Sequence, residues 1–432
     1  MIVNTQNPKN HWCHDTIFFA NSEYHHLEPF FFHGRHVVQF EMPTEIEQAD
    51  VGFNGISVFS FCDGIVGEVE SLFNFLKCFV GGLSDHPHWP VIGTHVPEYQ
   101  EKANLKFLTE SMEYTMEPRE KQTIDIDPDL IKSGDYVAIM RLDGLDQIIM
   151  YGTGSHSGHS VMALRFDGEL FIVESQDAWY WPTHGLQRTP WAKWIKQAEE
   201  ADFHVTWCPL SEEAAERFDE KAAQDFFFET EGLPYGYHNF LYGWIDTANN
   251  NWPPLLAFNF APIMFSLLEK VVPNVVFTFF TEALNFRLGT KDLNISEITA
   301  HAAKQNMSLA DVMAMNEQDG WVYYGEEPRD GLSMVCSAYV AAVWKAAGMF
   351  GDNDVNATEF SPKDVYVMNF FESDPAKLPQ ECQDSDDQGV TYCQIRGKYK
   401  MTFPYYNTVA PYQQMFQSCS VNWPTYEVDP NC

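Results

Sequence analysis

The chain reads as an α+β protein: an antiparallel sheet packed on a cysteine-bearing helix, extended by a helical insertion and a cysteine-rich tail. Three observations carry this. An Asp167-Gly168 pair lies between two apolar runs, a buried helical run opens on Cys336, and four cysteines crowd into the last 51 residues.

The hairpin is the most specific local signal. Gly158-His159-Ser160-Val161-Met162-Ala163-Leu164-Arg165-Phe166 leads into Asp167-Gly168, and Glu169-Leu170-Phe171-Ile172-Val173-Glu174-Ser175-Gln176 follows. Asp-Gly between such runs predicts a two-residue turn that pairs Phe166 with Glu169. Counting outward, Val161 meets Glu174 and His159 meets Gln176. Alternate residues of a strand share a face, so His159, Glu174 and Gln176 project to one side, with Glu174 diagonal to His159.

The run from Met334 to Gly348 reads as a buried helix that starts at Cys336. Val340, Val343, Trp344 and Ala347 recur at i, i+3, i+4, i+7 and give an apolar face, with Gly348 as C-cap. Cys336 then sits at the helix N-terminus, where the positive end of the dipole favours a thiolate, the nucleophilic form. Free cysteine is also among the most buried residue types, so position alone allows a packing role. The histidine and carboxylate of the upstream hairpin tip the balance, because a cysteine nucleophile requires a base held by a carboxylate or amide. His159 is the candidate base and Glu174 its orienting partner, with Gln176 as the alternative. His156, in the Gly152-Thr153-Gly154-Ser155 lead-in, is a rival base.

These segments resemble a known family. Gly134-Asp135-Tyr136-Val137, then Gly158-His159 entering a strand, Val173-Glu174-Ser175, and Val335-Cys336-Ser337-Ala338-Tyr339-Val340 are similar to the permuted branch of the NlpC/P60 superfamily. That branch (YiiX-like and LRAT-like) comprises papain-like cysteine hydrolases whose histidine strands precede the cysteine helix. Gly232-Leu233-Pro234-Tyr235-Gly236-Tyr237 resembles the Gly-x-x-Tyr segment ahead of the nucleophile. Phe360-Ser361-Pro362-Lys363-Asp364 resembles a Ser/Thr-Pro-x-Asp turn. The resemblance implies a circularly permuted papain-like core, with Cys336 as nucleophile, His159 as base, Glu174 as orienting acid and Tyr235 near the oxyanion. It covers under half of the chain and departs from the family in a long insertion at about 246–325. The implied reaction is attack on an amide, ester or thioester carbonyl. Peptide or amide hydrolysis is the first expectation. Lipid or thioester deacylation or acyl transfer is the alternative, since the branch includes lipid acyltransferases. A non-catalytic structural protein on the same shell is the third reading.

Organisation follows from these landmarks. Residues 1–125 form an aromatic and histidine-rich extension, 126–372 the catalytic core with its insertion, and 373–432 a cysteine-rich tail wrapping the core. In the extension Val37–Phe40 and Val58–Phe61 read as strands. Ile65–Phe79 reads as a short helix, with Val66, Val69, Leu72, Phe73 and Leu76 on one face. Its histidines match no standard metal spacing, and no cofactor is implied. The apolar stretch from Pro254 to Phe280 is interrupted by Pro262, Glu269, Lys270, Pro273 and Asn274. A membrane span needs about 20 unbroken apolar residues, so two buried helices capping the core are expected instead.

Charge and cysteine count bound the setting. A net charge of −35 argues against nucleic acid or an anionic membrane as partner and leaves a peptide, amide or acyl substrate. Nine cysteines minus Cys336 leave Cys13, Cys62, Cys78, Cys208, Cys382, Cys393, Cys419 and Cys432. That even number predicts up to four disulfides and one free thiol, hence an oxidising compartment. Asn294, Asn306 and Asn356 open glycosylation sequons. Secretion, or a lysosomal or vacuolar lumen, is therefore expected. Residues 1–20 carry neither a basic n-region nor an apolar h-region. Either the signal precedes this numbering, or the chain is cytoplasmic with reduced thiols.

Overall fold

The computed structural model describes residues 95–176, 185–237, 273–313, 334–353, 357–385 and 389–410, together with shorter pieces of both chain ends and a few single residues. The chain divides into two compact units, Met1–Leu76 with Leu255–Asn316, and Lys77–Pro254 with Glu317–Cys432.

In the first unit Asp15–Ala20 is the centre of a three-stranded antiparallel sheet, flanked by Glu23–Leu27 and Ser57–Phe61. Ile2–Thr5 pairs with Gly34–Val37. That strand ends where the sequence led us to expect one to begin, at Val37, while the expected strand at Val58–Phe61 lies within Ser57–Phe61. The expected helix at 65–79 lies outside the described residues. The insertion contributes Glu282–Leu288 and Ile295–Lys304, the latter capped reciprocally by Asn294 and Glu297. From Leu255 to Asn316 the insertion thus groups with the N-terminal strands rather than with the sheet of the second unit.

The second unit is an α+β core. In chain order it comprises α1 (Glu98–Met112), β1 (Tyr136–Met140), α2 (Leu145–Thr153), β2 (His159–Phe166), β3 (Glu169–Gln176) and β4 (Gly185–Pro190). Then come α3 (Trp191–Glu200), β5 (His204–Cys208), α4 (Glu212–Arg217), α5 (Glu220–Thr230), α6 (Cys336–Ala346), α7 (Pro362–Val367) and β6 (Cys393–Arg396). The six strands form one antiparallel sheet in the order β6-β5-β1-β2-β3-β4.

The strands are near-continuous apolar runs because both faces are covered. Tyr136, Ala138, Met140, Met162, Leu164 and Val173 face a core shared with Val340, Val343 and Trp344 of α6. Val137, Ile139, Val161, Ala163 and Ile172 face a second core with Trp191, Trp194 and Ala198 of α3. Burying one such aliphatic side chain contributes roughly 1.5–3 kcal/mol. Because α6 is buried all round from Cys336 to Trp344, the single apolar face seen in the sequence understates it. Its far end is tied down by Trp344 Nε1 donating to the Gly134 carbonyl at 3.0 Å.

Gly134 and Asp135 start β1 for structural reasons. Gly134 has φ +91°, and a Cβ there would meet Phe218 at 2.7 Å. Asp135 accepts from Leu210 N, Trp207 Nε1 and Lys132 N, each at 2.8 Å. Burial pushes its pKa up to about 6 against these donors. Similarly, the Ser361-Pro362-Lys363-Asp364 turn is the capping box of α7.

Two expected boundaries move. Thr123 bridges to Arg396 at the end of β6 and Pro118 to Tyr399 beyond it, so the last part of the supposed N-terminal extension belongs to the core. Part of the supposed wrapping tail supplies the edge strand β6 itself. Cys382 and Cys393 form a disulfide that pins β6 to the short helix Gln380–Gln383. Cys208, expected to be paired, is a free thiol, fully buried in β5. Cys13, Cys62, Cys78, Cys419, Cys432 and Asn356 lie outside the described residues.

Candidate active site

The site forms where the hairpin opens. The Asp167-Gly168 turn has φ of +50° and +83°, the type I′ geometry that matches strand twist. From it the β2–β3 ladder runs from Phe166–Glu169 to Met162–Val173 and stops. The expected pairings Val161–Glu174 and His159–Gln176 do not form. Instead β2 stays with β1, His159 opposite Ile139, and β3 stays with β4, Gln176 opposite Gly185. The outer neighbours hold each strand and draw the two apart, so His159 and Glu174 face each other across an open end.

His159 Nε2 and Glu174 Oε2 lie 2.9 Å apart, in side chains only 4 % and 1 % exposed. The Cys336 thiol is in hydrogen-bonding contact with the same ring. Burial works against a charged imidazole here. The Cys336 sulfur, and after it Glu174, outweigh burial and hold the His159 pKa well above its usual value. A thiol, an imidazole and a carboxylate thus stand in one line of contacts.

Two donors hold the chain just ahead of the cysteine. Ser175, on the opposite face of β3, donates its Oγ to the Met334 carbonyl at 2.6 Å. Gly236 N donates to the same carbonyl at 3.1 Å. The chain entering α6 is thereby fastened both to β3 and to the Gly232–Tyr237 segment. That segment runs along the start of β4, through Gly232 N to Leu186 O and Leu186 N to Leu233 O. Gly185 is required there, since a Cβ would meet the Leu233 carbonyl at 2.4 Å. Tyr235 is thus buried in a segment fastened two residues ahead of Cys336, its ring against Tyr237 at 4.9 Å.

The start of β2 is fixed just as firmly. Ser157 Oγ lies 2.9 Å from both the Ile139 and the His159 carbonyls. A Cβ on Gly158 would meet the Asp146 carboxyl group at 2.1 Å, which explains the glycine before His159. His156 is held elsewhere. Its Nδ1 lies 2.8 Å from the Thr402 carbonyl and its ring stacks on Tyr114 at 3.8 Å. Gln176 ends β3, buried, while Glu174 takes the His159 nitrogen.

Sequence reading missed Ser175, Ser157 and Trp194, whose indole Nε1 donates to Glu174 Oε1 at 3.2 Å. The hairpin register put Ser175 on the far face from Glu174, and a buried indole N–H needs an acceptor. Which acceptor it finds depends on how α3 crosses the sheet. Among the described residues no group of three His, Cys, Asp or Glu side chains is arranged to hold a metal. No described helix is long and apolar enough to cross a membrane. No family model, no curated protein and no solved structure matches this chain.

Proposed function

We propose that this chain is a cysteine-nucleophile hydrolase of peptide or amide bonds, built on a circularly permuted papain-like core of the NlpC/P60 kind. The observation that carries the reading is the buried Cys336–His159–Glu174 contact. The chain order of the three, His159 and Glu174 ahead of Cys336, is that of the permuted branch. A packing role for Cys336 calls for neither an imidazole with a raised pKa nor a carboxylate behind it.

In this reading His159 holds the thiol proton, and the Cys336 thiolate attacks the scissile carbonyl carbon. The carbonyl oxygen becomes an oxyanion. The Cys336 N–H donates a hydrogen bond to it, since the first amides of a helix have no helical carbonyl to reach. The Tyr235 hydroxyl is the second candidate donor. His159 gives its proton to the leaving amine as the C–N bond breaks, which leaves a thioester on Cys336. Water, losing a proton to His159, attacks that thioester and releases the acid and the thiolate. Glu174 keeps the imidazole oriented throughout.

The decisive experiment is trapping. The protein is incubated with a panel of peptide amides and, separately, of fatty acyl thioesters, and its intact mass is followed over time. An acyl adduct on Cys336 from the peptide panel, absent from Cys336→Ala, is the expected result. Adducts from the acyl panel alone would move the function to lipid deacylation, and no adduct from either would sink the hydrolase reading.

A lumenal or extracellular setting belongs to the same proposal. The Cys382–Cys393 disulfide supports it. So does the exposure of Asn294 and Asn306. Asn294 caps its helix through Oδ1, not through the Nδ2 to which a glycan attaches. Intact mass of the natively expressed protein, with and without reduction, is expected to count at least one disulfide and one glycan. Fully reduced thiols with no added sugar would place the chain in the cytoplasm.

A further inference from the structure

We infer that Trp194 is a positioning residue for the Cys336–His159 pair, acting through Glu174 from the α3 layer. This rests on the hydrolase reading above and adds to it a residue that the local sequence around the site does not contain.

The geometry is specific. Glu174 Oε2 faces His159 Nε2 at 2.9 Å, and Glu174 Oε1 accepts Trp194 Nε1 at 3.2 Å. Trp194 is fully buried and Glu174 is 1 % exposed. An indole N–H is a donor only, so it cannot exchange roles with the carboxylate as a hydroxyl or amide would. The carboxylate is therefore gripped at both oxygens by groups that can only pull it into one plane. Without the indole, Oε1 is left buried with one donor fewer, and the carboxylate is free to turn about its Cγ–Cδ bond. His159 then loses a partner of fixed direction, and with it the orientation that presents its other nitrogen to Cys336.

The indole is itself held. It belongs to the core on the α3 face of the sheet and stacks on Trp191 with centroids 6.0 Å apart. Trp191 opens α3 directly after β4, and β4 is the strand that pairs with β3 through Glu174–Gln187. The rigid elements that carry the indole and the carboxylate are thus consecutive in the chain and paired in the sheet. Cys336 comes from α6, whose apolar residues lie in the core on the other face. At the open end of the hairpin the two helical layers are linked through Trp194, Glu174, His159 and Cys336.

The test is a double-mutant cycle read by iodoacetamide alkylation of Cys336 at neutral pH, with thermal unfolding measured alongside. Trp194→Phe keeps an aromatic ring and removes the donor. Alkylation is expected to slow about tenfold, the loss of one hydrogen bond to a charged group. In a Glu174→Gln background the same change is expected to slow alkylation less than about twofold, because the two residues act as one unit. Equal slowing in both backgrounds, or no slowing in the first, would show that Trp194 only packs, and would overturn the inference. Should Trp194→Phe unfold the protein, the isostere 3-benzothienylalanine at position 194 replaces the N–H by sulfur at constant shape. It is expected to give the same tenfold loss, and native-rate labelling would overturn the inference equally. Separately, native and His159→Ala proteins that label at the same rate would overturn the hydrolase reading itself, a result distinct from either outcome at Trp194.

Discussion

His156 and His159 are three residues apart, and their imidazoles meet opposite fates. His159 stands between the Cys336 thiol and Glu174, and its pKa is held well above the usual histidine range despite burial. His156 lies against the Thr402 carbonyl and the Tyr114 ring, and burial pushes its pKa down to about 4, with Lys363 adding to the fall. His204, buried in β5 with Nδ1 3.2 Å from the Met140 carbonyl, is likewise lowered to about 4, first by burial. Burial by itself disfavours an imidazolium, and a carbonyl is too weak an acceptor to reverse that. Only ionic partners do. Of the three rings, only the one at the open end of the hairpin is poised to store a proton.

The largest effect that tests this contrast is on the thiol. His159→Ala is expected to slow iodoacetamide alkylation of Cys336 at neutral pH by about 100-fold, the lower range for a general base. His156→Ala is expected to change it by less than about twofold. The reverse order would transfer the base to His156.

A second prediction separates the two surroundings mechanically. Thr402 follows β6, whose position is fixed by the Cys382–Cys393 bond across a separation of 11 residues. Replacing both cysteines by serine is expected to lower stability by about 3 kcal/mol in the loop-entropy description. Cys336 labelling should nevertheless stay within about twofold, as β6 is at the opposite edge of the sheet from β3 and β4. Urea unfolding and alkylation on the same samples check both halves. A collapse of labelling would mean that the two surroundings are one unit.

Gly158 lies between the histidines, against Asp146. Gly158→Ala is expected to cost about 1–3 kcal/mol, as overpacking does, and to slow labelling by displacing His159. Unchanged urea midpoints would show that the Asp146 side chain yields freely.

The smallest effect is on acid stability. His156 has a folded pKa of about 4, below the usual 6.5. Its contribution is complete above pH 6.5 and fades as pH falls through the folded value, because the unfolded chain binds the proton first. His159 has the opposite sign: its contribution is complete below pH 6.5 and fades as pH rises through its raised folded value. His156→Gln should therefore flatten the loss of stability between pH 6.5 and 4, measured by urea midpoints at several pH values. His159→Gln should instead remove stability preferentially on the acid side. The same slope in both variants would contradict the assignment.

How much of this was legible in the chain depends on range. The turn residues, the register from Phe166–Glu169 and the sidedness of His159 and Glu174 followed from period-2 alternation, a purely local rule. The start of α6 at Cys336 followed from its apolar spacing and Gly348. Cys208 misled because a count of cysteines carries no geometry. It lies at the end of a strand buried between two strands, where no other described cysteine meets it. The tail misled for a related reason: Cys393–Arg396 is too short a run to declare itself a strand until β5 offers it a partner.

By itself the sequence determined which residues carry reactive groups and which of them share a strand face, because these are properties of neighbours along the chain. Only the tertiary structure decided that β2 and β3 part beyond Met162–Val173. That depends on the pairing of β2 with β1 and of β3 with β4, partners that no local rule assigns. The same holds for Trp194. Its indole reaches Glu174 because α3 crosses one face of the sheet while α6 covers the other, and the packing of two layers against one sheet is settled by all of them together.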